Sequence, residues 1–359
     1  MAKERIFDLP ETKGEFKARG LVTGTTKDNF LKAKKGDDGK IRKVLRFGVK
    51  VQNDGSSVYC DLTGQERDAV YFYKKADKKD GTKGVSQKVN FSTRDKFKEE
   101  GFEPIGVRVG IEQYIDGKGA VKNKNIPMFE FDAVDYLKNN LVEEMPVFTR
   151  GKIEFSSFVN GTTGDKVRMT KFVPTQISGV TTDLNLDDEK YSPVNDFIQT
   201  IIFMDLHLDD SDKDDKKGIL SAKVVNYSSI EDVEFIVRDQ VRYKTLKKNL
   251  KPYNAIKVFG KIHNKVEKEE VEDDGWGTSE NSFESKNNSF VKELLILGAD
   301  PDTLDTETYT KENVERAIEL VKQSRKAKED FGKNDETADD WGSNKSNEGS
   351  NDDEFDNWD

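Results

Sequence analysis

The sequence has very few of the residues that build disulfides and structural metal sites. Its 359 residues include one cysteine, Cys60, and two histidines, His207 and His263. A single cysteine excludes an intrachain disulfide and fits a reducing compartment. One cysteine and two histidines are also too few for a common structural zinc site. We therefore predict a protein that folds without cross-links and carries no metal or other cofactor.

Long apolar runs and nucleotide-binding loops are lacking as well. No stretch approaches the ~20 apolar residues of a membrane helix, and the first residues lead into no signal sequence. No Gly-x-x-x-x-Gly-Lys-Ser/Thr loop is present to hold nucleotide phosphates. The aspartate-rich run at 209–215 lacks the EF-hand pattern, so a solvated loop explains it better than a cation site. These absences favour a cytoplasmic binding protein over an enzyme.

Charge is abundant but unevenly distributed. Charged residues make up 36% of the chain and apolar residues only 34%, below the roughly 45–50% of a typical globular protein. Residues 267–359 hold 28 acidic and 11 basic residues, a net charge of −17, which leaves 41 acidic and 48 basic residues, a net charge of +7, for residues 1–266. A basic body suggests a polyanionic partner, and the acidic end suggests a solubilising or competing tail.

Alternating apolar and polar residues predict β-strands in the body of the chain. Residues 42–51 place Leu45, Phe47, Val49 and Val51 on one face and Arg42, Arg46 and Lys50 on the other. Residues 58–62 alternate too and turn Tyr59 outward beside these cations. Residues 166–173 place Arg168 and Phe172 outward in the same way.

Cations beside exposed aromatic rings suit single-stranded nucleic acid, because cations follow the phosphates while the rings stack on bases. Duplex DNA exposes no base faces, so the rings would be unused there. An ordinary solvated strand face explains any one of these residues equally well, but the ensemble, with the lysine-rich loop 74–88, favours binding. The predicted DNA-binding residues are Lys32, Lys34, Lys35, Arg42, Arg46, Lys50, Tyr59, Tyr73, Lys88, Arg108, Arg168 and Phe172.

Two parts of the chain resemble each other and predict a tandem duplication. Residues 16–22 resemble residues 148–153, and residues 96–110 resemble residues 246–262, where a short helical pattern precedes an alternating strand. The remainder of each unit is alternation broken by Gly, Asn and Asp clusters. We predict two small, mostly β domains at 14–140 and 141–266.

The chain changes in character after residue 266. Residues 267–288 are acidic and rich in Ser, Asn and Gly, which predicts a disordered linker. Residues 290–298 predict a helix that ends at Gly298. A second helix should begin at its N-cap Thr310, with Val314, Ala317, Ile318 and Val321 at helical spacing. We therefore expect a helical segment at 289–332 and a disordered acidic tail at 333–359.

Aromatic residues recur inside the acidic segments, and the chain ends NDDEFDNWD. One hypothesis is that carboxylates and rings imitate phosphates and bases, so that the tail occupies the DNA groove until DNA displaces it and frees it to recruit partners. The alternative is a tail that only keeps the protein soluble. The residues predicted to dock a partner are Trp341, Asp353, Glu354, Phe355, Trp358 and Asp359.

The stretch 246–262, LKKNLKPYNAIKVFGKI, is similar to the helix, turn and final strand of bacterial single-stranded DNA-binding proteins. With the start GLVTGTTKDNF, the 42–51 strand and the acidic end, the chain resembles the tandem OB-fold single-stranded DNA-binding proteins of phages that infect Gram-positive bacteria. The likeness covers residues 14–266 and the tail. It departs at the tip, where Trp358 and Asp359 replace the bacterial Pro-Phe ending, and residues 289–325 have no counterpart.

This resemblance implies a mostly β fold with two tandem OB-like β-barrels, a short helical segment and a disordered acidic C-terminal tail. It implies sequence-independent binding of single-stranded DNA during replication or recombination, in the cytoplasm of a bacterial host, with the tail recruiting replication or recombination proteins. Two alternatives remain open: a phage structural or assembly protein, and a replication loader or adaptor whose barrels bind protein. An assembly protein would self-associate without DNA. A loader would keep its partner affinity after Tyr59→Ala and Arg46→Ala.

Overall fold

The computed structural model describes residues 5–36, 38–54, 56–76, 81, 83–159, 163–182, 184–211, 215–267 and 289–334, which are mostly β, as predicted. The strands of the first part are β1 (Gly14–Thr23), β2 (Leu31–Lys35), β3 (Ile41–Lys50), β4 (Ser57–Gln65), β5 (Ala69–Lys74), β6 (Val85–Asn90), β7 (Phe102–Pro104), β8 (Val107–Gly110), β9 (Gln113–Ile115), β10 (Val121–Asn123) and β11 (Ile126–Met128), with a 3-10 helix at Phe91–Lys96. The rest comprises α1 (Glu130–Asn140), β12 (Pro146–Val159), β13 (Lys166–Gly179), β14 (Val194–Asp209), β15 (Lys217–Val225), β16 (Ile230–Val237), α2 (Gln240–Asn249), β17 (Ala255–Glu267), β18 (Ser289–Asp305) and α3 (Lys311–Asn334).

Five strands of the N-terminal half pair in a closed cycle, the first ring. β1 pairs with β3, β3 with β4, β4 with β13, β13 with β12, and β12 with β1. Every pair is antiparallel except β4–β13, and α1 connects β4 to β12 in the chain. The four apolar residues predicted to face inward from residues 42–51 are fully buried: Leu45, Phe47, Val49 and Val51.

A second ring repeats this order. β14 pairs with β15, β15 with β16, β16 with β18, β18 with β17, and β17 with β14; only β16–β18 is parallel. α2 occupies the place of α1. β1 also pairs with β14, which joins the two rings into one 13-stranded sheet among the described residues.

The two rings agree in detail at one glycine each. Gly151 of β12 lies opposite Phe16, and Gly260 of β17 lies opposite Phe197. A Cβ atom on Gly151 would lie 1.9 Å from the Val173 carbonyl oxygen of β13, and one on Gly260 would lie 1.8 Å from the Leu295 carbonyl oxygen of β18. Each ring therefore requires a residue without a side chain at this point, and the shared requirement supports a duplication.

The predicted alignment of the two repeats is wrong. The segment that corresponds to residues 246–262 is 137–153, the end of α1 and the start of β12, rather than 96–110. Residues 148–153 belong to β12, so their counterpart is β17 and not β1. The pairings also cut across the predicted division at residue 140, because β12 and β13 close the first ring. The assignment of domains to 14–140 and 141–266 stays a prediction.

A long insertion distinguishes the first ring from the second. Residues 66–129 separate β4 from α1, whereas only Arg238 and Asp239 separate β16 from α2. In the insertion, β5 pairs with β6 and β7, and one face of this small sheet packs Val70, Phe72 and Phe129 into a core of its own. β8 returns to the first ring and pairs in parallel with β13.

The predicted helix at 290–298 is wrong, because this stretch is part of β18. Leu294 and Ile296 are buried at alternate positions, as a strand requires, but a continuous apolar run does not distinguish strand from helix by period alone. The second predicted helix is confirmed as α3. Thr310 Oγ1 accepts a 3.3 Å hydrogen bond from the Asn313 N–H, and Val314 is fully buried.

Glu293 of β18 holds basic side chains from neighbouring segments together. Its carboxylate lies 2.7 Å from Arg238, 3.3 Å from Lys217 and 3.8 Å from His263, and its side chain is 10% exposed. Burial alone would raise the pKa of Glu293, but its bonds to Arg238 and Lys217 lower that pKa overall.

We expect Glu293 to make the fold sensitive to acid. Its lowered pKa means that the carboxylate stabilises the folded state above the unfolded value of about 4.3, and that this stabilisation disappears as the pH falls through the folded pKa. Glu293→Gln should lower the melting temperature near pH 7, and the difference from the wild type should shrink near pH 3. Thermal unfolding followed by circular dichroism measures both. An undiminished difference in acid would contradict the assignment.

Candidate nucleic-acid interface

The predicted cations of β2 and β3 lie largely on one face of the sheet. Lys34 is opposite Arg42, and Lys32 lies two residues before Lys34, so all three project from the same side. Arg42 is exposed and has no ion pair in the part of the chain that the structure describes, whereas Lys32 and Lys34 also interact within the protein. Lys50, half-exposed, lies on this face, and Lys35 projects from the opposite one.

Two residues predicted to be exposed are buried. Arg46 is 5% exposed and lies 3.4 Å from Asp61, its neighbour across β4. Phe172 is 3% exposed, and its ring meets that of Phe16 edge-on at 5.2 Å. Arg46 lies on the predicted face but is buried there, whereas Phe172 points into the hydrophobic core beside Phe16, so its predicted outward orientation is wrong. Neither side chain can stack on a base or follow a phosphate without rearrangement of the fold.

Three further predicted residues are engaged within the protein. Tyr59 is half-buried, and burial raises its pKa. Arg108 lies 2.7 Å from Glu103, and Arg168 lies 2.5 Å from Glu234. The structure does not bring Arg168 to the insertion or to the β2–β3 cations, so it lies apart from the cluster described next.

The other two predicted residues, Tyr73 and Lys88, lie together on the outer face of β5 and β6. Tyr71 projects from the same face two residues before Tyr73, and it lies opposite Lys88 in the β5–β6 ladder. The exposed fractions are 49% for Tyr71 and 39% for Tyr73, and Lys88 is exposed. We call Tyr71, Tyr73 and Lys88 the tyrosine face. It presents two aromatic rings and a cation side by side.

The tyrosine face is held by the packing behind it. Phe72, between the two tyrosines, points inward; its ring lies 4.5 Å from that of Phe97 and 5.1 Å from that of Phe129. Arg94 fastens the 3-10 helix to α1 through two hydrogen bonds to Asp132, of 3.0 and 2.6 Å. The exposed rings therefore stand on a fixed support, which limits the entropy lost when they bind a ligand.

A cleft extends from Tyr71 of the tyrosine face to the end of β4, the strand beside β3. It has a volume of about 160 Å³, and its lining includes Gln65, Arg67 and Tyr71. Gln65 is the partner of Arg42 across β3 and β4. Lys40, at the turn between β2 and β3, lies 2.9 Å from Asp68 at the start of β5. Lys34, Arg42, Arg67 and the tyrosine face therefore follow one another across the surface.

The sequence predictions missed Tyr71 and Arg67. A signal for Tyr71 was available, because residues 71–73 read Tyr-Phe-Tyr and alternation places both tyrosines on one face. No sequence pattern indicated Arg67, because its position depends on the turn from β4 into β5.

Several predicted features lie outside the described residues. These are the tail residues Trp341, Asp353, Glu354, Phe355, Trp358 and Asp359 and most of the acidic segment 267–288. Within the residues that are described, no three His, Cys, Asp or Glu side chains are grouped to hold a metal ion. No described helix is both long and apolar enough to cross a membrane.

Comparison with known proteins gives limited likenesses and one family. The chain is similar to the single-stranded DNA-binding protein from Thermus aquaticus: a deletion mutant matches at 11% identity and a TM-score of 0.39, covering 84% of this chain and 98% of that one. The wild-type protein matches at 10% identity and a TM-score of 0.38, covering 81% and 93%. No curated protein matches. The YorF family model matches residues 75–334, more than half of the chain, and the protein therefore belongs to the YorF family.

Proposed function

We propose that the protein binds single-stranded DNA with little sequence preference and protects it during replication or recombination. The observation that carries the proposal is the tyrosine face, where two exposed rings stand two residues apart beside Lys88. Rings spaced along a strand stack on successive unpaired bases of any sequence, while cations neutralise the phosphates. Paired bases in a duplex present no face to such rings.

The cations beyond the tyrosine face extend the proposed path. A strand stacked on Tyr71 and Tyr73 can continue through the cleft beside Arg67 toward Arg42 and Lys34. This path uses the insertion and the outer face of β2 and β3 rather than the buried Arg46. The protein acts here as a binding protein and not as an enzyme, in the cytoplasm of the cell that replicates the DNA.

The proposal includes the acidic tail. Residues 335–359 combine carboxylates with the aromatic rings of Trp341, Phe355 and Trp358. The cations beside the tyrosine face attract carboxylates, and its rings and cations attract other aromatic rings. In the proposal this tail competes with DNA, and it recruits replication or recombination proteins when DNA displaces it. A variant that ends at Asn334 should then bind DNA more tightly and lose the recruited partners.

The experiment that tests the proposal is a fluorescence titration of labelled oligo(dT) of about 40 nucleotides, with duplex DNA of equal length as the control. Tight binding to the single strand alone, weakened by salt, is the expected result. Equal affinity for the duplex would contradict the role of the rings. Binding to neither, together with self-association, would favour an assembly protein instead.

Cations of the path should be visible in the salt dependence. We expect Arg42→Ala with Lys88→Ala to reduce the slope of log K against log salt by about 1.4, because each phosphate neutralised on a single strand contributes about 0.7. The matched control is Lys244→Ala with Lys248→Ala, which removes two exposed cations from α2. The same titration at four salt concentrations measures both. An equal loss of slope in the control would show that only net charge matters.

A further inference from the structure

An apolar groove lies between α2 and the end of β18 in the second ring. Its volume is about 310 Å³. Leu246 and Leu250 of α2 form its floor with Ala299 of β18, and Val241 and Leu304 stand at its rim. Val241 is 72% exposed and Leu304 is 43% exposed, so the two form an exposed apolar rim. We call this the α2–β18 groove.

The first ring contains the same groove, and there it is filled. The end of α1 and the residue after it read LKNNL (137–141), and the end of α2 and the residue after it read LKKNL (246–250). In both, the N–H of the last leucine donates a hydrogen bond to the carbonyl oxygen of the first, of 2.8 Å at α1 and 2.9 Å at α2. Gly151 and Gly260 each follow ten residues after the last leucine. Leu137 and Leu141 therefore correspond to Leu246 and Leu250.

The segment that fills the groove of the first ring is β8. It adds to β13 as a parallel strand, with Val109 opposite Ile177, and both residues are almost fully buried. The β12–β13 and β17–β18 ladders both shift register just before the equivalent glycines, Gly151 and Gly260. Two residues before each glycine, Thr149 lies opposite Ile177 and Val258 lies opposite Ala299, so Ile177 corresponds to Ala299. After β8, Tyr136 of α1 donates a 2.6 Å hydrogen bond to Glu112.

In the second ring the corresponding strand edge has no partner among the described residues. β16 pairs with β18 at Leu295 only, just as β4 pairs with β13 at Phe172 only. Beyond that point β8 pairs with the same edge of β13, whereas no described strand pairs with the corresponding edge of β18. Ala299 is half-exposed as a result. An open strand edge beside an apolar groove is the arrangement that binds extended peptides by strand addition.

We propose that the α2–β18 groove binds an extended segment of a partner protein, added as a strand parallel to β18 at residues 298–300. The segment carries branched apolar residues at alternate positions, as Val107, Val109 and Ile111 do in the first ring. Main-chain hydrogen bonds hold it to β18, and its apolar side chains lie against Leu246 and Leu250.

The charge of α2 and the composition of the tail narrow the choice of occupant. α2 carries Arg242, Lys244, Lys247 and Lys248 and no acidic residue, so acidic residues beside the apolar ones favour binding. The chain's own residues 335–359 contain no Val, Leu or Ile, and therefore lack the pattern of β8. Residues 268–288 contain a single Val and no Leu or Ile, so they lack the pattern too, and the occupant is a strand from another protein.

A peptide copied from β8 tests the groove directly. Residues 105–113, IGVRVGIEQ, carrying a fluorescent label, should bind the full-length protein and raise its fluorescence anisotropy. Val241→Glu with Leu304→Glu should weaken this binding about tenfold or more, because charge replaces the apolar rim. Val142→Glu is the matched control, since Val142 is 55% exposed beside α1 of the first ring. Equal binding by both variants would overturn the proposal.

A gain of affinity tests the register. Thr245 occupies the position in α2 that Tyr136 occupies in α1. Burial and the hydrogen bond to Glu112 raise the pKa of Tyr136 to about 12, so the Tyr136 hydroxyl remains a hydrogen-bond donor. Thr245→Tyr should tighten binding of the peptide by about tenfold or more, the effect of one hydrogen bond to a charged group. A peptide with alanine in place of its glutamate should show no such gain. An equal gain with both peptides would overturn the proposed register.

Analytical ultracentrifugation separates a partner from a second copy. We expect no self-association through the groove: if the full-length protein self-associates at all, the double variant Val241→Glu with Leu304→Glu should self-associate equally. If the full-length protein self-associates and the double substitution abolishes this, the groove is an interface between copies of this chain, and the partner proposal is overturned.

Discussion

Replacing Tyr71 and Tyr73 together with alanine should weaken binding to oligo(dT) by about two orders of magnitude or more. A base stacked on an aromatic side chain contributes about 1–3 kcal/mol, and each 1.4 kcal/mol is a factor of ten in affinity. Two rings therefore account for a loss of this size even if their effects are not fully additive. Fluorescence anisotropy with a labelled oligonucleotide measures the change.

The double substitution should leave the fold intact, because both rings are exposed while Phe72 keeps its inward packing. Tyr227→Ala is the matched control, since Tyr227 is 45% exposed on the second ring. The control should keep its affinity, and all three proteins should melt at similar temperatures. Unchanged affinity in the double variant would remove the observation on which the proposed function depends.

Gly151→Ala should destabilise the protein by about 3 kcal/mol or more. Its Cβ atom would lie 1.9 Å from the Val173 carbonyl oxygen and 2.8 Å from the ring of Phe16. Backbone atoms cannot yield as a flexible side chain can, so β12 would separate from β13, and overpacking without such relief exceeds the usual 1–3 kcal/mol. Chemical denaturation measures the loss of free energy of unfolding.

Gly260→Ala should cost a similar amount, because the same approach recurs in the second ring. Gly117→Ala is the control: a Cβ atom there would meet no other atom within 4 Å, and the change should be nearly neutral. Comparable stability in the Gly151→Ala and Gly117→Ala proteins would show that the two rings do not depend on close approach at these glycines.

Sequence periodicity predicted much of this fold because the strands keep one face buried. Leu45, Phe47 and Val49 are buried as their alternation required. Periodicity failed where contacts between distant segments decide the outcome. β18 reads as a helix in isolation, and its pairing with β17 makes it a strand. The repeats were misaligned because the insertion at 66–129 hides the likeness of α1 to α2.

The candidate site was only partly predictable for the same reason. Arg42 was identified from alternation and Lys88 from the lysine-rich loop, Tyr73 was also among the predicted residues, and each is exposed. Arg46 was assigned to the outer face but is buried there beside Asp61, and Phe172 was assigned outward although it packs in the core against Phe16. Whether a strand face is open depends on the tertiary arrangement, which one sequence does not reveal.

The pairing of β1 has a consequence during synthesis on the ribosome. β1 is translated long before two of its partners, because β12 begins at Pro146 and β14 at Val194. At roughly 5–20 residues per second, the nascent chain waits about 10–40 seconds for β14. An unpaired strand edge can meanwhile join another chain, and charged side chains such as Glu15, Lys17 and Arg19 oppose this. The charges at alternate positions of β1 thus protect a strand of which only Leu21–Thr23 can pair early, with β3, while the rest waits for β12 and β14.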